Sequence, residues 1–104
     1  KETAAEFDSE ISEFEAVGID ALESACVKPP RVANSLAQFE CRLNRVIHLA
    51  EGPAGANIVI GDIVQIHVSD SVISEPGKID YEKLDAIGRM GGASYTRTTD
   101  RFDL

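Results

Sequence analysis

Cysteine is scarce in this 104-residue chain. Its two cysteines, Cys26 and Cys41, form no Cys-x-x-Cys pair and have no neighbouring histidine at the spacing of metal ligands. The spacing therefore argues against a zinc site and against a dithiol redox motif. We interpret Cys41 as a small residue of the core, with a nucleophile as the alternative. Two thiols without a secretory leader fit a reducing cytoplasm, which is the expected location.

Long apolar runs are also missing. No run approaches the length of about 20 residues that a membrane-spanning helix needs, so we expect a soluble protein. The chain begins at Lys1 and shows no basic-then-apolar leader. We therefore expect a processed or excised chain without a signal peptide. Its length suits one domain at most.

Basic residues are nearly absent from the first quarter of the chain. Residues 1–26 hold eight acidic residues against Lys1, a net charge of −7, whereas residues 27–104 hold ten acidic and nine basic residues, a net charge of −1. Because nucleic-acid affinity depends on lysine and arginine, this distribution argues against nucleic-acid binding. The acidic segment is either a solvated surface segment or a contact for a basic partner.

Two alternating segments give the clearest structural pattern. Residues 38–49 and 57–68 alternate apolar and polar side chains, and the loop 51–55 separates them, so we expect an antiparallel hairpin. Gly61 interrupts the second segment, which indicates a bulge or a close approach by another backbone or a ligand. One face of the hairpin is expected to form the core. The predicted core residues are Phe39, Cys41, Leu43, Ile58, Ile60, Val64 and Ile66.

Short helices are predicted elsewhere. A capping box at residues 3–6 and a helical turn at 13–19, broken by Gly18, lie in the acidic segment. After a turn at 75–78, Asp80 is a good N-cap for a helix over 80–87, and Gly88 is a natural stop. No catalytic triad, metal cluster or phosphate-binding loop is found in the sequence.

One ordered set of segments goes beyond the general pattern. It consists of 27–35, 39–41, 57–64, 67–68, 79–80 and 88–92 with Tyr95. Together, and in this order, these segments resemble the C-terminal half of the flavin reductase-like, FMN-binding split-barrel family. The departures are Gln65, where relatives often have histidine, and Leu36, where proline often follows the serine. By this resemblance, the family's N-terminal half, with the loops that bind the flavin phosphate, is expected to be missing from these 104 residues.

The resemblance implies a mainly β fold: a partial antiparallel FMN-binding split barrel with short helices. Residues 1–104 would be the C-terminal part of a single domain, with 1–26 as an acidic helical or loop lead-in and 27–104 as barrel strands and terminal helix. The implied function is hydride transfer from NAD(P)H to flavin, in a homodimer or with the missing half, and some relatives supply reduced flavin to a partner monooxygenase. The alternatives are a non-catalytic FMN-holding dimer module and an acidic protein-interaction domain.

The resemblance also points to cofactor-binding residues. Arg89 would lie near the flavin ring or its phosphate, or else form an ion pair with Asp85 or Glu82. Gly91 and Gly92 would let the backbone approach the ring, or form a plain turn.

Further candidates have weaker support. Tyr95 would stack on the flavin or nicotinamide, or pack at the barrel edge. Ser35 and Asn57 are polar groups at loop ends that would complete the FMN site. His67 is interpreted as a half-exposed structural histidine, with a proton donor as the alternative. The resemblance names no catalytic residue in this chain.

Overall fold

The computed structural model describes residues 13–104, so the capping box expected at 3–6 lies outside the described residues. The described chain is mainly β with short helical segments, as predicted. It divides into two compact units, of which the first ends at His67 and the second runs from Val68 to Leu104. Among residues 13–104, no helix is long and apolar enough to cross a membrane.

The first unit opens with a short helix and a small sheet. Helix α1 covers Glu13–Ala16, and Gly18, at φ 69°, turns the chain so that the Ile19 N–H donates to the Phe14 carbonyl at 2.9 Å. The helical turn broken by Gly18 is therefore confirmed. Strands β1, Ala21–Leu22, and β2, Arg31–Val32, pair antiparallel with residue 21 opposite residue 32.

A long hairpin follows. Strand β3 covers Ala37–Ala50, strand β4 covers Ala56–Val68, and the two are neighbours in a two-stranded sheet. Their connection, 51–55, is too short for a parallel crossover, so the pairing is antiparallel. The predicted strand limits agree with the structure to within one residue at each end, because alternation of apolar and polar side chains is a local signal.

The predicted core on this hairpin is wrong for the described chain. Both cysteines are exposed, Cys41 among them, and the six other predicted core side chains are between 37% exposed, for Ile60, and 67% exposed, for Leu43. Two strands alone cover neither face of their own sheet, and α1, β1 and β2 are too short to cover it. The alternation of apolar and polar side chains therefore predicts the two strands correctly, but it does not show whether another element buries their apolar side chains.

Gly61 marks a close approach, as its position in an apolar strand predicted. A Cβ built on Gly61 would lie 3.1 Å from the Cβ of Cys41. The partner strand also brings the backbone carbonyl oxygen of Arg42 to 3.5 Å from that Cβ, so both a side chain and the expected backbone approach this position. Glycine at this position therefore lets β3 and β4 come together.

The second unit begins with a 3-10 turn over Asp70–Val72, which leads into β5, Ile73–Glu75, and its antiparallel partner β6, Lys78–Ile79. The turn expected at 75–78 is thus confirmed. Helix α2, Tyr81–Leu84, contacts the 3-10 turn. Val72, only 1% exposed, is the single buried apolar side chain among the described residues.

The predicted start of α2 is right and its predicted end is wrong. The Asp80 side chain accepts hydrogen bonds from the N–H groups of Glu82 and Lys83, as an N-cap does. The helix stops at Leu84 because Asp85 adopts the left-handed conformation at φ 45°, which carboxylate side chains tolerate better than most. Gly88 is therefore no helix stop and lies in a strand.

Candidate functional site

The last hairpin brings four of the predicted cofactor-binding residues together. Strands β7, Ile87–Arg89, and β8, Tyr95–Arg97, pair antiparallel, with Arg89 directly opposite Tyr95 and Gly88 opposite Thr96. Residues opposite each other in an antiparallel pair project from the same face. The guanidinium of Arg89 and the ring of Tyr95 thus share one face of the hairpin, next to the loop that holds Gly91 and Gly92.

That loop is short and its glycines stand open. The Met90 N–H donates to the Ser94 carbonyl, and the Ser94 N–H donates to the Gly91 carbonyl, each at 3.0 Å. Gly92, at φ 57°, has the left-handed conformation that favours glycine. A Cβ added at Gly91 or Gly92 would meet no atom within 4 Å. The loop therefore leaves space against its backbone on both glycines.

Arg89 keeps its charge available. The ion pair proposed for it goes to another residue, because Arg97 contacts Asp85 at 3.6 Å. Within residues 13–104 no ion pair and no side-chain hydrogen bond involves the Arg89 guanidinium, which lies on an exposed residue. A planar cation with its N–H groups free suits an anionic or oxygen-rich ligand.

Ser35 and Asn57 are in the first unit, and one polar atom of each already has a hydrogen-bond partner there. The Ser35 hydroxyl donates to the Ala37 carbonyl at 2.7 Å. The Asn57 Oδ1 lies 2.5 Å from Nδ1 of His48, across the β3–β4 hairpin. Both residues are exposed. The Ser35 hydroxyl keeps lone pairs that can accept, and the Asn57 amide keeps N–H groups that can donate, so both can still contact a ligand.

A cleft of about 790 Å³ lies elsewhere in the second unit, between α2 and residues 99–103. The Arg101 guanidinium lies 5.2 Å from the centre of the Tyr81 ring in this cleft. The remaining charged residues of its lining are Glu82, Asp100 and Asp103. Three carboxylates against one arginine disfavour a phosphate group, so the β7–β8 hairpin is the better candidate for a nucleotide cofactor.

Sequence reasoning missed the most buried polar group in the described chain. Glu40, on β3, is only 2% exposed, and its carboxylate accepts hydrogen bonds from three successive backbone N–H groups. The donors are the N–H groups of Ala25 at 3.0 Å, Cys26 at 2.6 Å and Val27 at 3.2 Å. Because these partners lie 13 to 15 residues away in the chain, no local pattern could have revealed them.

His67, on β4, completes this cluster. Its side chain is 24% exposed, and its Nε2 contacts the Glu40 carboxylate. This contact agrees with the interpretation of His67 as a half-exposed structural histidine. Within residues 13–104, no group of histidine, cysteine and carboxylate side chains has the arrangement of a metal site.

Burial and hydrogen bonding act in opposite directions on the pKa of Glu40. Burial by itself raises that pKa, because it penalises the charged form. The hydrogen bonds from the backbone of Ala25, from His67, and from the backbone of Cys26 and Val27 lower it, and together they prevail. The pKa of Glu40 falls from its ordinary 4.5 to about 2, so the carboxylate is ionised at neutral pH.

Solved structures of similar proteins cover almost all of this chain. It has a TM-score of 0.88 and 31% identity to nitrilotriacetate monooxygenase component B from Bacillus cereus, covering 99% of this chain and 52% of that one. It has a TM-score of 0.76 and 33% identity to the 2-nitrobenzoate 2-nitroreductase NbaA of Pseudomonas fluorescens, covering 93% and 48%. A candidate flavin reductase with a split barrel domain from Shewanella frigidimarina has a TM-score of 0.79 and 30% identity, covering 97% and 50%.

Curated relatives show the same proportion. The chain is 33% identical over 95 residues to an uncharacterized protein of Aquifex aeolicus, covering 91% of this chain and 46% of the relative. It is 30% identical to the uncharacterized protein YwrF of Bacillus subtilis, covering 99% and 52%. The chain thus spans about half the length of these relatives.

The family comparison agrees with the structural one. The model of the flavin reductase like domain matches residues 1–85, which is most of the chain. The matched region ends before the β7–β8 hairpin, which the solved structures nevertheless cover. The described strands form no closed barrel, as expected for part of a split barrel. The chain belongs to the flavin reductase-like, split-barrel family.

Proposed function

We propose that this chain is part of an FMN-binding oxidoreductase that passes hydride from NAD(P)H to flavin. Membership of the flavin reductase-like family supports a flavin-related cofactor or substrate. The observation that carries the proposal to particular residues is the β7–β8 hairpin. There, an arginine without an ion pair in the described chain faces a tyrosine beside two open glycines.

Each residue of the hairpin has a proposed part in holding FMN. Arg89 supplies positive charge and hydrogen-bond donors to the ring edge or the phosphate. Tyr95 offers an aromatic surface for stacking, and the loop at Gly91 and Gly92 leaves room against its backbone. Bound FMN would supply the redox chemistry. Ser35 and Asn57 are secondary candidates, since each already makes one hydrogen bond within the first unit and has only part of its polar groups left for a ligand.

No residue of the chain is proposed as a nucleophile or as a proton donor. In a flavin enzyme the protein holds and orients the two rings and tunes the cofactor with nearby charges. His67 contacts Glu40, and Cys41 lies opposite Gly61 on the partner strand. The proposed role of the protein is therefore positioning and electrostatic tuning.

We further propose that another polypeptide covers the exposed apolar side chains of β3 and β4. Leu43, Val59 and Phe39 are each more than 60% exposed, and exposed apolar strands favour association. The proposed cover is a second copy of the protein or the other half of the split-barrel domain. Sedimentation should show a dimer or a complex, and a folded monomer at micromolar concentration would contradict this.

A partner monooxygenase is proposed because one similar structure is named a monooxygenase component. A cytoplasmic location is proposed because the two cysteines are free thiols.

We also propose that residues 1–104 are the C-terminal part of one domain. The 104-residue chain should then bind FMN weakly, since it lacks the half that holds the phosphate in the family. Supplying that half, fused or as a separate polypeptide, should restore binding.

Fluorescence titration of FMN tests the site in the protein with both halves. Arg89→Ala should weaken FMN binding about 10- to 100-fold, the loss expected for hydrogen bonds to a charged group, or lower the reduction potential of the bound flavin. Lys83→Ala is the matched control, because it removes the same charge from the same unit without altering the hairpin. If both the affinity and the potential are unchanged in Arg89→Ala, the arginine lies outside the site.

NAD(P)H oxidation separates the proposal from its alternatives. A yellow protein that oxidises NAD(P)H is a reductase, and a yellow protein that does not is an FMN-holding module. A colourless protein that binds no FMN with both halves present would favour an acidic interaction domain. The charge of residues 1–26 would then be the feature to test.

A further inference from the structure

We propose that the backbone N–H groups of residues 25–27, with the ring of His67, form a carboxylate-binding site whose resident ligand is Glu40. We call these three N–H groups the amide pocket. Successive backbone N–H groups aimed at one point make a concavity that binds anions. In this chain the anion is supplied from inside the same unit, by strand β3.

The arrangement satisfies both oxygens of the carboxylate. Glu40 Oε1 accepts from the N–H groups of Cys26 and Val27, and Oε2 accepts from the N–H group of Ala25 and from His67. Each oxygen thus has two donors, and no buried side-chain polar atom among the described residues lacks a partner. Such complete pairing is what allows a charged side chain to be 2% exposed.

The amide pocket lies in the connection between β1 and β2, residues 23–30. Contacts within this connection close it upon itself: the Ser24 hydroxyl donates to the Pro29 carbonyl at 2.6 Å, and the Arg31 guanidinium donates to the Glu23 carbonyl at 3.0 and 3.2 Å. Those bonds do not join the connection to β3. The carboxylate of Glu40, a residue of β3, does so through its bonds to residues 25–27, and it therefore anchors the middle of the connection to the long hairpin.

A second contact supports the end of the same connection. Gln38 lies two residues before Glu40, on the same side of β3, and accepts from the Arg31 guanidinium at 2.8 Å. Its own amide donates to the Val32 carbonyl at 2.5 Å and to the Ser35 carbonyl at 3.2 Å. Gln38 thus holds the chain where β2 begins and ends. With Gln38 in place, β2 should stay paired when the Glu40 side chain is changed, so that the N–H groups of residues 25–27 lose their acceptor but stay beside β3.

The proposal predicts that the amide pocket accepts a small free carboxylate once Glu40 is shortened. Glu40→Ala removes the resident carboxylate and leaves the donors, so formate should bind and stabilise the variant. Formate should raise the melting temperature of Glu40→Ala by about 5 °C or more over chloride at the same ionic strength, the shift expected for a ligand at about ten times its Kd. Glu40→Leu fills the pocket with an apolar side chain and should show no such difference.

The comparison of formate with chloride can support the carboxylate site or refute it. A formate effect on Glu40→Ala that exceeds the effects on wild type and Glu40→Leu supports a carboxylate site. Equal effects of formate and chloride on a folded Glu40→Ala overturn it. If Glu40→Ala does not fold, Glu40→Gln decides, because it preserves the shape of the side chain and replaces one acceptor oxygen by an N–H₂ donor.

Amide hydrogen exchange is the measurement for Glu40→Gln. The exchange of the N–H groups of residues 25–27 should become about 10- to 100-fold faster than in wild type, as expected when hydrogen bonds to a charged acceptor are lost. The Thr96 N–H, in the β7–β8 hairpin of the other unit, is the control and should exchange as before. Unchanged exchange at residues 25–27 would refute the proposal.

Discussion

Gly61→Ala should destabilise the β3–β4 hairpin. The added Cβ would lie 3.1 Å from the Cβ of Cys41, whereas carbon atoms in contact prefer about 3.5 to 4.0 Å. The Cys41 Cβ is bonded to the backbone, so a side-chain rotation cannot move it away and the strands must separate by several tenths of an ångström. Such overpacking costs about 1 to 3 kcal/mol.

A smaller effect acts in the opposite direction. Alanine restricts the unfolded chain more than glycine does, which stabilises the folded state by about 0.4 to 1 kcal/mol. The expected net loss is therefore about 0 to 2.6 kcal/mol, with a central value of about 1.3 kcal/mol. Each kcal/mol corresponds to about 4 to 8 °C in melting temperature for a chain of this size. Urea unfolding and thermal unfolding of wild type and variant should both detect it.

Two further variants isolate the contact. Gly91→Ala is the matched control, because its added Cβ meets nothing within 4 Å and Gly91 is not in the left-handed region; it should leave the stability unchanged or increase it by about 0.4 to 1 kcal/mol. Cys41→Gly removes the opposing Cβ and should reduce the cost of Gly61→Ala in a double-mutant cycle. The reasoning fails if that cost is the same with glycine at position 41.

Three other changes have outcomes that follow from single contacts. Asp80→Ala should cost about 0.5 to 2 kcal/mol of unfolding free energy in urea, because α2 loses its N-cap. Asp85→Gly should have a higher melting temperature than Asp85→Ala, because only glycine adopts φ 45° without strain. Both variants lose the exposed 3.6 Å ion pair between Asp85 and Arg97 equally. The contribution of the Glu40 carboxylate should be fully present above about pH 4.5 and be lost as the pH falls towards about 2, since its pKa is lowered on folding; acid titration of Glu40→Gln should lack this part of the transition.

The sequence predicted those parts of the fold that depend on neighbours in the chain. Alternation over 38–49 and 57–68 located β3 and β4, and the capping preference of Asp80 located the start of α2. The end of α2 was mispredicted because the left-handed conformation of Asp85 competes with the more familiar stop at Gly88. The burial of the hairpin could not be predicted, because burial depends on elements distant in sequence.

The two candidate sites also differ in how far they depend on residues that are distant in sequence. The family resemblance singled out Arg89, Gly91, Gly92 and Tyr95. The β7–β8 pairing that brings them together was not predicted. The Glu40 site depends on donors up to 27 residues away, at His67. In the sequence Glu40 reads as an ordinary polar residue of an alternating strand. Only the folded backbone reveals its role.

The position of Glu40 and His67 within the long hairpin has a kinetic consequence. Both lie near the open end, since Glu40 is close to the start of β3 and His67 close to the end of β4, far from the connection at 51–55. When strand pairing begins at the short connection, the entropy cost of loop closure is met there, and the residues at the open end pair last. The Glu40–His67 contact should then form after the rate-limiting step, so its loss would accelerate unfolding and leave the folding rate nearly unchanged. The Glu40–His67 contact therefore opposes separation of β3 and β4 at the open end of the hairpin.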